Sequence, residues 1–278
     1  MNVTDDEALA RAVQWLREAD GLLVTAGAGM GVDSGLPDFR GAAGFWRAYP
    51  ALHAEGVRFE DIANLAAFHH DPVRAWGFYG HRLNLYRQTV PHRGFDILRH
   101  WGERMEHGAF VFTSNVDGQF QKAGFAEDRI AECHGSIHWL QCADPCSAEL
   151  WPADGLTLAV DEARCRLLSP LPRCPRCGAV ARPAILMFGD YDWIETRTDR
   201  QMAQLRGWLT ALCTPVVVEL GAGRAIPTVR YFSERHGPRV IRINPRDHVI
   251  SPRHGIGIAG TARDVLERID ARLAWGTS

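Results

Sequence analysis

Leu22-Leu23-Val24-Thr25-Ala26-Gly27-Ala28-Gly29-Met30-Gly31-Val32-Asp33-Ser34-Gly35 decides the fold. Leu22 to Ala26 is a short, continuously apolar run, the pattern of a strand buried on both faces. A glycine-rich turn follows directly, and glycines there let backbone N–H groups approach a pyrophosphate closely. Upstream, Thr4-Asp5-Asp6-Glu7 reads as a capping box. It opens a helix with Leu9, Ala12, Val13 and Leu16 at helical spacing, ended by Asp20-Gly21.

Further apolar runs lie at 109–113, 184–188, 215–220 and 240–243. Helical patterns fall near 93–104, 199–212, 225–236 and 261–274. Alternation of this kind predicts an α/β fold, a Rossmann-like parallel sheet with helices on both faces, with ligands at the carboxyl ends of its strands. Two regions interrupt it: residues 42–90, aromatic, histidine-rich and helical in pattern, and residues 138–183, which hold two cysteine pairs. The expected organisation is a discontinuous nucleotide-binding domain (1–41, 91–137 and 184–278), a helical insert (42–90) and a zinc-binding insert (138–183). The two inserts together form a smaller domain.

Composition narrows the function. The 278 residues are 46% hydrophobic, enough for a sizeable core, and the formal charge of −2 points away from a nucleic-acid partner. No stretch reaches the roughly 18 apolar residues of a membrane span, and Met1 to Asp6 is unlike a targeting signal. A cytoplasmic enzyme with neither membrane nor nucleic-acid partner is expected. Lys122 is the only lysine; the other positive charges are arginine.

The glycine turn runs on into Leu36-Pro37-Asp38-Phe39-Arg40-Gly41, which sets a carboxylate, an aromatic ring and a cation side by side. Arg40 suits a phosphate, and Phe39 suits shielding a reactive bond from water. No acidic residue stands at a second strand end about 20 positions on, where a hydride-transferring dehydrogenase holds the ribose. Instead Thr113-Ser114-Asn115-Val116-Asp117 and His134-Gly135-Ser136 bring an amide, a carboxylate and an imidazole. Those groups can grip a nicotinamide and activate a ribose hydroxyl, which points to an enzyme that consumes NAD. Of the twelve histidines, His134 carries this motif, with His138 a weaker competitor as base.

In combination these motifs, the cysteine pairs, Phe188-Gly189-Asp190 and Asn244 make the chain resemble a sirtuin over nearly its whole length. The resemblance implies NAD-dependent protein-lysine deacylation, in which the acyl oxygen attacks the anomeric carbon and nicotinamide leaves. Asn115 and Asp117 would then bind the carboxamide, with Asn115 and His134 as the catalytic pair and His134 the general base. The implied NAD-binding set is Gly27, Ala28, Gly29, Asp38, Phe39, Arg40, Ser114, Asn115, Asp117, Gly221, Ala222, Asn244 and Ala262. Met187, Phe188 and Gly189 resemble the segment on which an acyl-lysine peptide adds as a strand.

Cys142-x3-Cys146 and Cys174-x2-Cys177 offer four thiolates in two short loops, which suits a closed structural Zn2+ site. Cys165 could substitute, and Cys133 and Cys213 read as packed core thiols. Tyr79 and Arg82 resemble the pair by which some sirtuins accept malonyl- or succinyl-lysine, and their i, i+3 spacing puts both on one helix face. Departures from the family pattern stand at Ser114, where glutamine is usual, and at Phe95, where histidine is common. Small hydroxyl residues are also missing after Gly221.

The expected function is therefore an NAD-dependent deacylase that releases nicotinamide and O-acyl-ADP-ribose. Its substrate would be an acyl-lysine protein or peptide, deacetylated or, through Tyr79 and Arg82, demalonylated or desuccinylated. ADP-ribosyl transfer or NAD hydrolysis, motivated by Ser114, is the alternative; a non-catalytic NAD sensor would have no use for His134.

Overall fold

A computed structural model describes residues 5–37, 45–46 and 48–273. Thr4, the expected helix cap, lies outside them. Helix α1 (Asp5–Glu18) carries Asp5, Asp6 and Glu7 in its first turn, where carboxylates complement the helix dipole, and buries Leu9, Ala12, Val13 and Leu16. Strand β1 (Leu22–Ala26) is buried throughout. Thr25 is tolerated there because its hydroxyl shares a 2.8 Å hydrogen bond with that of Ser233.

Helices α2 (Pro50–Ala54), α3 (Phe59–Ile62), α4 (Leu65–His70) and α5 (Pro72–Gln88) lie between β1 and the next strand of the sheet, before Thr89. Asp71 caps α5 by accepting from Arg74 N, and Pro72 occupies the first turn, where no N–H is needed. Helix α6 (Arg93–Glu103), β2 (Ala109–Thr113), α7 (Gln119–Lys122) and β3 (Ile130–Glu132) follow. Strands β4 (Gly135–Cys142), β5 (Trp151–Pro152), β6 (Val160–Asp161), β7 (Arg166–Leu167) and β8 (Ala181–Ile185) form the cysteine-bearing module. The chain closes with α8 (Thr196–Leu209), β9 (Val216–Leu220), α9 (Thr228–Arg235), β10 (Val240–Ile243), β11 (Gly255–Ile258) and α10 (Ala262–Leu273).

Six strands in the order β11-β10-β9-β1-β2-β3 form one parallel sheet. Leu22 pairs with Ala109 on one side and Val216 on the other. The chain builds outward from β1 through β2 and β3, then resumes on the opposite side with β9, β10 and β11. Where direction reverses, a crevice opens at the carboxyl ends of the strands. Helices α1, α6 and α10 cover one face through Leu9, Leu98, Trp101 and Leu266; α8 and α9 cover the other through Leu205, Trp208 and Val229.

The helical insert and the cysteine module share a second core of Phe45, Tyr49, Trp76, Phe78, Ile137 and Leu140. Trp76 Nε1 donates to Ala181 O at 2.8 Å. A Cβ on Gly77 would lie 2.2 Å from Cys165 O, so α5 touches the β6–β7 hairpin backbone to backbone.

Three readings of the sequence need correction. The 184–188 run is strand only to Ile185; β8 begins at Ala181 and pairs antiparallel with β4, outside the parallel sheet. The helices expected at 199–212 and 225–236 run instead over Thr196–Leu209 and Thr228–Arg235. Cys213 is exposed, not packed in the core, while Cys133 is half-buried. Strands β3, β4 and β11 carried no clear signal. In β11 a Cβ at Gly255 would meet Val240 O at 1.9 Å and one at Gly257 would meet His248 O at 2.1 Å. Tight neighbours thus demand glycine at alternate positions, and the apolar run disappears. Among the described residues no helix is long and apolar enough to cross a membrane.

Candidate active site

The carboxyl edge of the sheet gathers the expected residues because each follows a strand. Gly27 to Gly29 follow β1, Ser114 to Asp117 follow β2, His134 follows β3, Gly221 and Ala222 follow β9, and Asn244 follows β10. Gly27 and Gly29 pack on Gly221: a Cβ on Gly27 would sit 2.8 Å from Gly221 O, and one on Gly29 2.7 Å from Gly221 Cα. Gly221 itself has φ 58°, a left-handed conformation natural to glycine. Gly29 N donates to Gly221 O at 3.0 Å, so the two turns form one backbone surface. Asn244 braces it, with Nδ2 donating to Ala222 O at 3.2 Å and Oδ1 accepting from Arg246 and Asp247 N–H. Ala262 is buried at the start of α10.

Between this edge and the two inserts lies a cavity of about 250 Å3. Ala28, Ser114, Asn115, Asp117 and His134 line it from the sheet side. Tyr79, Arg82 and Tyr86 line it from α5, and Met187 and Phe188 from the segment after β8. Of the remaining expected residues, Gly189 turns that segment with φ 63°, while Asp38, Phe39 and Arg40 lie outside the described residues. A second cavity of about 400 Å3, beside Lys122 and Arg197, holds of the sequence candidates only the weaker one, His138.

Asn115 is held at both ends of the residue. Its N–H donates to Thr113 Oγ1 at 3.0 Å and its Nδ2 to Gly27 O at 3.0 Å. Asp117 is buried, and burial pushes its carboxyl up to about 6; Gln119 N–H, 3.0 Å from Oδ1, opposes this and Glu132 adds to it. His138 stands outside this cavity. Its Nε2 lies 3.0 Å from Asp117 O, so it props the loop from behind, and its candidacy as the base falls.

The half-buried His134 is positioned by its neighbour. Gly135 has φ 75°, and a Cβ there would lie 2.1 Å from Ala184 O. Glycine therefore lets β4 close on β8 and turns His134 into the cavity. Its carbonyl receives Leu186 N–H at 3.0 Å, which fixes the start of the 186–190 segment. Phe188 N donates to Ala63 O at 3.0 Å, and the Asp190 carboxylate takes both Nη atoms of Arg182.

Tyr79 and Arg82 share a face of α5, and that face is buried. Tyr79 stacks on Phe68, and burial raises its phenol to about 12, so it is a neutral hydrogen-bonding group. The Arg82 guanidinium donates to Tyr86 Oη from Nε at 3.0 Å and Nη2 at 2.8 Å and lies 5.2 Å from the Phe78 ring centroid. Sequence reading missed Tyr86. Its only signal was position, one turn beyond Arg82 on the same face.

The four cysteines of the two pairs converge: the sulfurs of Cys142, Cys146, Cys174 and Cys177 all lie within 4.8 Å of one another. Cys142 to Cys177 and Cys146 to Cys174 measure 3.6 Å. Four thiolates at about 2.3 Å from a tetrahedral Zn2+ stand about 3.8 Å apart, so this set fits zinc. Cys165, buried against α5, is not among them.

Comparison with known proteins agrees with this geometry. The sequence model of the Sir2 family matches residues 27–211. A protein of Deinococcus radiodurans named NAD-dependent protein deacylase is 32% identical over 264 residues, 93% of this chain and 97% of that protein. One of Thermococcus kodakarensis with the same name is 28% identical over 267 residues, 95% of each. The solved structure of a Sir2 homolog–NAD complex superposes with a TM-score of 0.70 at 24% identity, covering 95% of this chain and 93% of that one.

Proposed function

This chain belongs to the Sir2 family, and from that premise we propose that it is an NAD-dependent protein-lysine deacylase with a structural zinc site. One observation carries the reading. Asn115, Asp117 and His134 line the same cavity as Tyr79, Arg82, Met187 and Phe188, so groups for a nicotinamide riboside and for an acyl-lysine meet in one place.

NAD, as co-substrate, supplies an electrophilic anomeric carbon and a nicotinamide leaving group. The backbone surface of Gly27, Ala28, Gly29, Gly221 and Ala222, braced by Asn244, receives its phosphates and adenosine together with Ala262; the sequence motif adds Asp38, Phe39 and Arg40, which lie outside the described residues, to the NAD-binding set. Asn115 and Asp117 grip the carboxamide and hold it for departure. Ser114 lies at the ribose. Met187, Phe188 and Gly189 seat the peptide backbone so that the lysine enters the cavity. The acyl oxygen displaces nicotinamide at the anomeric carbon. His134 then takes the proton of a ribose hydroxyl, which attacks the acyl carbon; the lysine amine leaves and one water adds. Acyl-lysine, NAD and water thus give nicotinamide, free lysine and O-acyl-ADP-ribose. Tyr79 and Arg82 select acyl chains that end in a carboxylate, malonyl or succinyl, because a buried guanidinium favours an anion in its low-dielectric surroundings.

The domain division read from the sequence belongs to this proposal: a discontinuous nucleotide-binding unit, a helical insert at 42–90 and a zinc insert at 138–183. So does a cytoplasmic location. A second reading, ADP-ribosyl transfer or NAD hydrolysis, is favoured by Ser114 alone, whose short side chain replaces a longer ribose contact.

The test is incubation with NAD and matched acetyl-, malonyl- and succinyl-lysine peptides, with all products identified by mass spectrometry. Nicotinamide, O-acyl-ADP-ribose and bare lysine are expected. Free ADP-ribose or an ADP-ribosylated protein, with peptides left acylated, would move the assignment to the second reading.

A further inference from the structure

We infer that Tyr86 is a third specificity-determining residue of the acyl pocket, setting the orientation of the Arg82 guanidinium; the inference rests on the acidic-acyl reading above. A guanidinium recognises a carboxylate through a planar fork, so its value as a selector depends on the plane being fixed before the ligand arrives. Arg82 sits on a helix with three further torsions beyond Cβ, and cation–π contact alone does not set its plane. The rings of Phe78, Tyr79 and Tyr86 lie 5.2, 5.7 and 5.5 Å from Cζ. The Tyr86 phenol does set it. One oxygen accepts from both Nε and Nη2, at 3.0 and 2.8 Å, and this two-point contact defines the guanidinium plane. Tyr86 also lines the cavity itself, so the phenol lies beside the space an acyl chain would fill.

Tyr86 is in turn held from outside α5. Gln119, itself buried, donates from Nε2 to Tyr86 O at 3.1 Å. Lys122 Nζ donates to the next exposed carbonyls, Arg87 O at 2.7 Å and Thr89 O at 2.6 Å. Both come from α7, which starts two residues after Asp117, and Gln119 N–H binds the Asp117 carboxylate. The last turn of α5 is therefore bolted to the loop that carries Asn115 and Asp117. A neutral phenol supplies geometry without cancelling charge, which leaves the guanidinium's attraction for an anionic acyl end intact.

The experiment measures kcat and KM of wild type, Y86F and R82M on acetyl- and succinyl-lysine peptides of one sequence at saturating NAD. The readout is the succinyl-to-acetyl ratio of kcat/KM, which cancels any loss of folded enzyme. Wild type is expected to favour succinyl, R82M to abolish the preference, and Y86F to lower the ratio by roughly tenfold through KM for the succinyl peptide. If R82M collapses the ratio and Y86F keeps it, Tyr86 is not a selector and the acidic-acyl reading stands. If neither variant changes the ratio, both fall. If Y86F lowers kcat equally on both peptides with the ratio constant, its role is structural only and the inference is overturned.

Discussion

Asn115 Nδ2 donates to the carbonyl of Gly27 at 3.0 Å, tying the loop after β2 to the glycine turn after β1. A residue proposed to hold nicotinamide thus shapes the pyrophosphate turn as well. N115A removes the ligand contact and the tether together. Loss of one such positioned group costs on the order of 100-fold in turnover. N115D keeps the size but sets a carboxylate against Gly27 O, so it should be no better than N115A. Steady-state kinetics with NAD varied checks both; wild-type kcat/KM in either variant would remove Asn115 from the mechanism.

Asp117 makes a prediction of opposite sign for stability and activity. Its carboxyl titrates near 6, raised from 3.8 mainly by burial. The folded state therefore holds the proton more tightly than the unfolded chain. The stability this contributes is complete below pH 3.8 and lost as pH rises through about 6. Above that the buried carboxylate is a net cost of up to roughly 3 kcal/mol. D117N should be more stable than wild type at pH 7.5, with the difference shrinking as pH falls to 5, while NAD-dependent turnover drops by about 100-fold or more. Chemical denaturation at the two pH values measures this; a constant difference would show that burial does not govern Asp117.

His134 should separate the two halves of the reaction. General-base assistance contributes typically about 100- to 10,000-fold, so H134A should lose O-acyl-ADP-ribose formation by that order. Nicotinamide release does not require the base and should persist at a larger fraction of wild type. Time courses of both products from one reaction decide the matter. Equal loss of the two would assign His134 to binding.

The sheet was legible where the physics is local. Leu22–Ala26, 109–113, 215–220 and 240–243 are buried on both faces, so they read as apolar runs and match β1, β2, β9 and β10. Strand β11 was hidden because packing against Val240 and His248 replaced its alternate side chains with glycine. Strand β8 was misplaced because Arg182 and Pro183 break its pattern; Arg182 is buried only because Asp190, from beyond the strand, pairs with it. Motif residues such as Asn115 and His134-Gly135 were readable, since spacing and a required glycine mark them. Gln119 and His138 act through contacts between segments distant in sequence, which no local pattern encodes, and Tyr86 was marked only by its helical spacing from Arg82.

The cysteine site should couple stability to catalysis. Strands β4 and β8 carry Cys142 and neighbour Cys174 and Cys177, and the same two strands pair Gly135 with Ile185 beside His134. Purified protein should hold about one zinc per chain, and C174A should lose most of it. A chelator should lower the melting temperature and turnover together, with zinc restoring both. Metal analysis and thermal unfolding on the same samples test this; full stability without metal would leave the thiols as spectators.

Arg182 and Asp190 form a two-point ion pair with neither side chain exposed, at 2.7 and 2.9 Å. The same carboxylate accepts from Met187 N at 3.3 Å and Asp192 N at 3.2 Å, so it also shapes the proposed peptide-binding segment. Burying two charges gains little net stability, because desolvation offsets their attraction. Breaking the pair is different: D190A strands a buried guanidinium and should cost about 3–5 kcal/mol. The double substitution R182L/D190L removes both charges and should recover most of that loss. It cannot restore the two backbone contacts, so the 186–190 segment stays loose. Unfolding free energies should then return toward wild type while KM for the peptide remains elevated by roughly tenfold, the size of one lost charged hydrogen bond. If KM recovers along with stability, the pair serves the fold alone; if KM stays high, Asp190 shapes the surface on which the substrate lies.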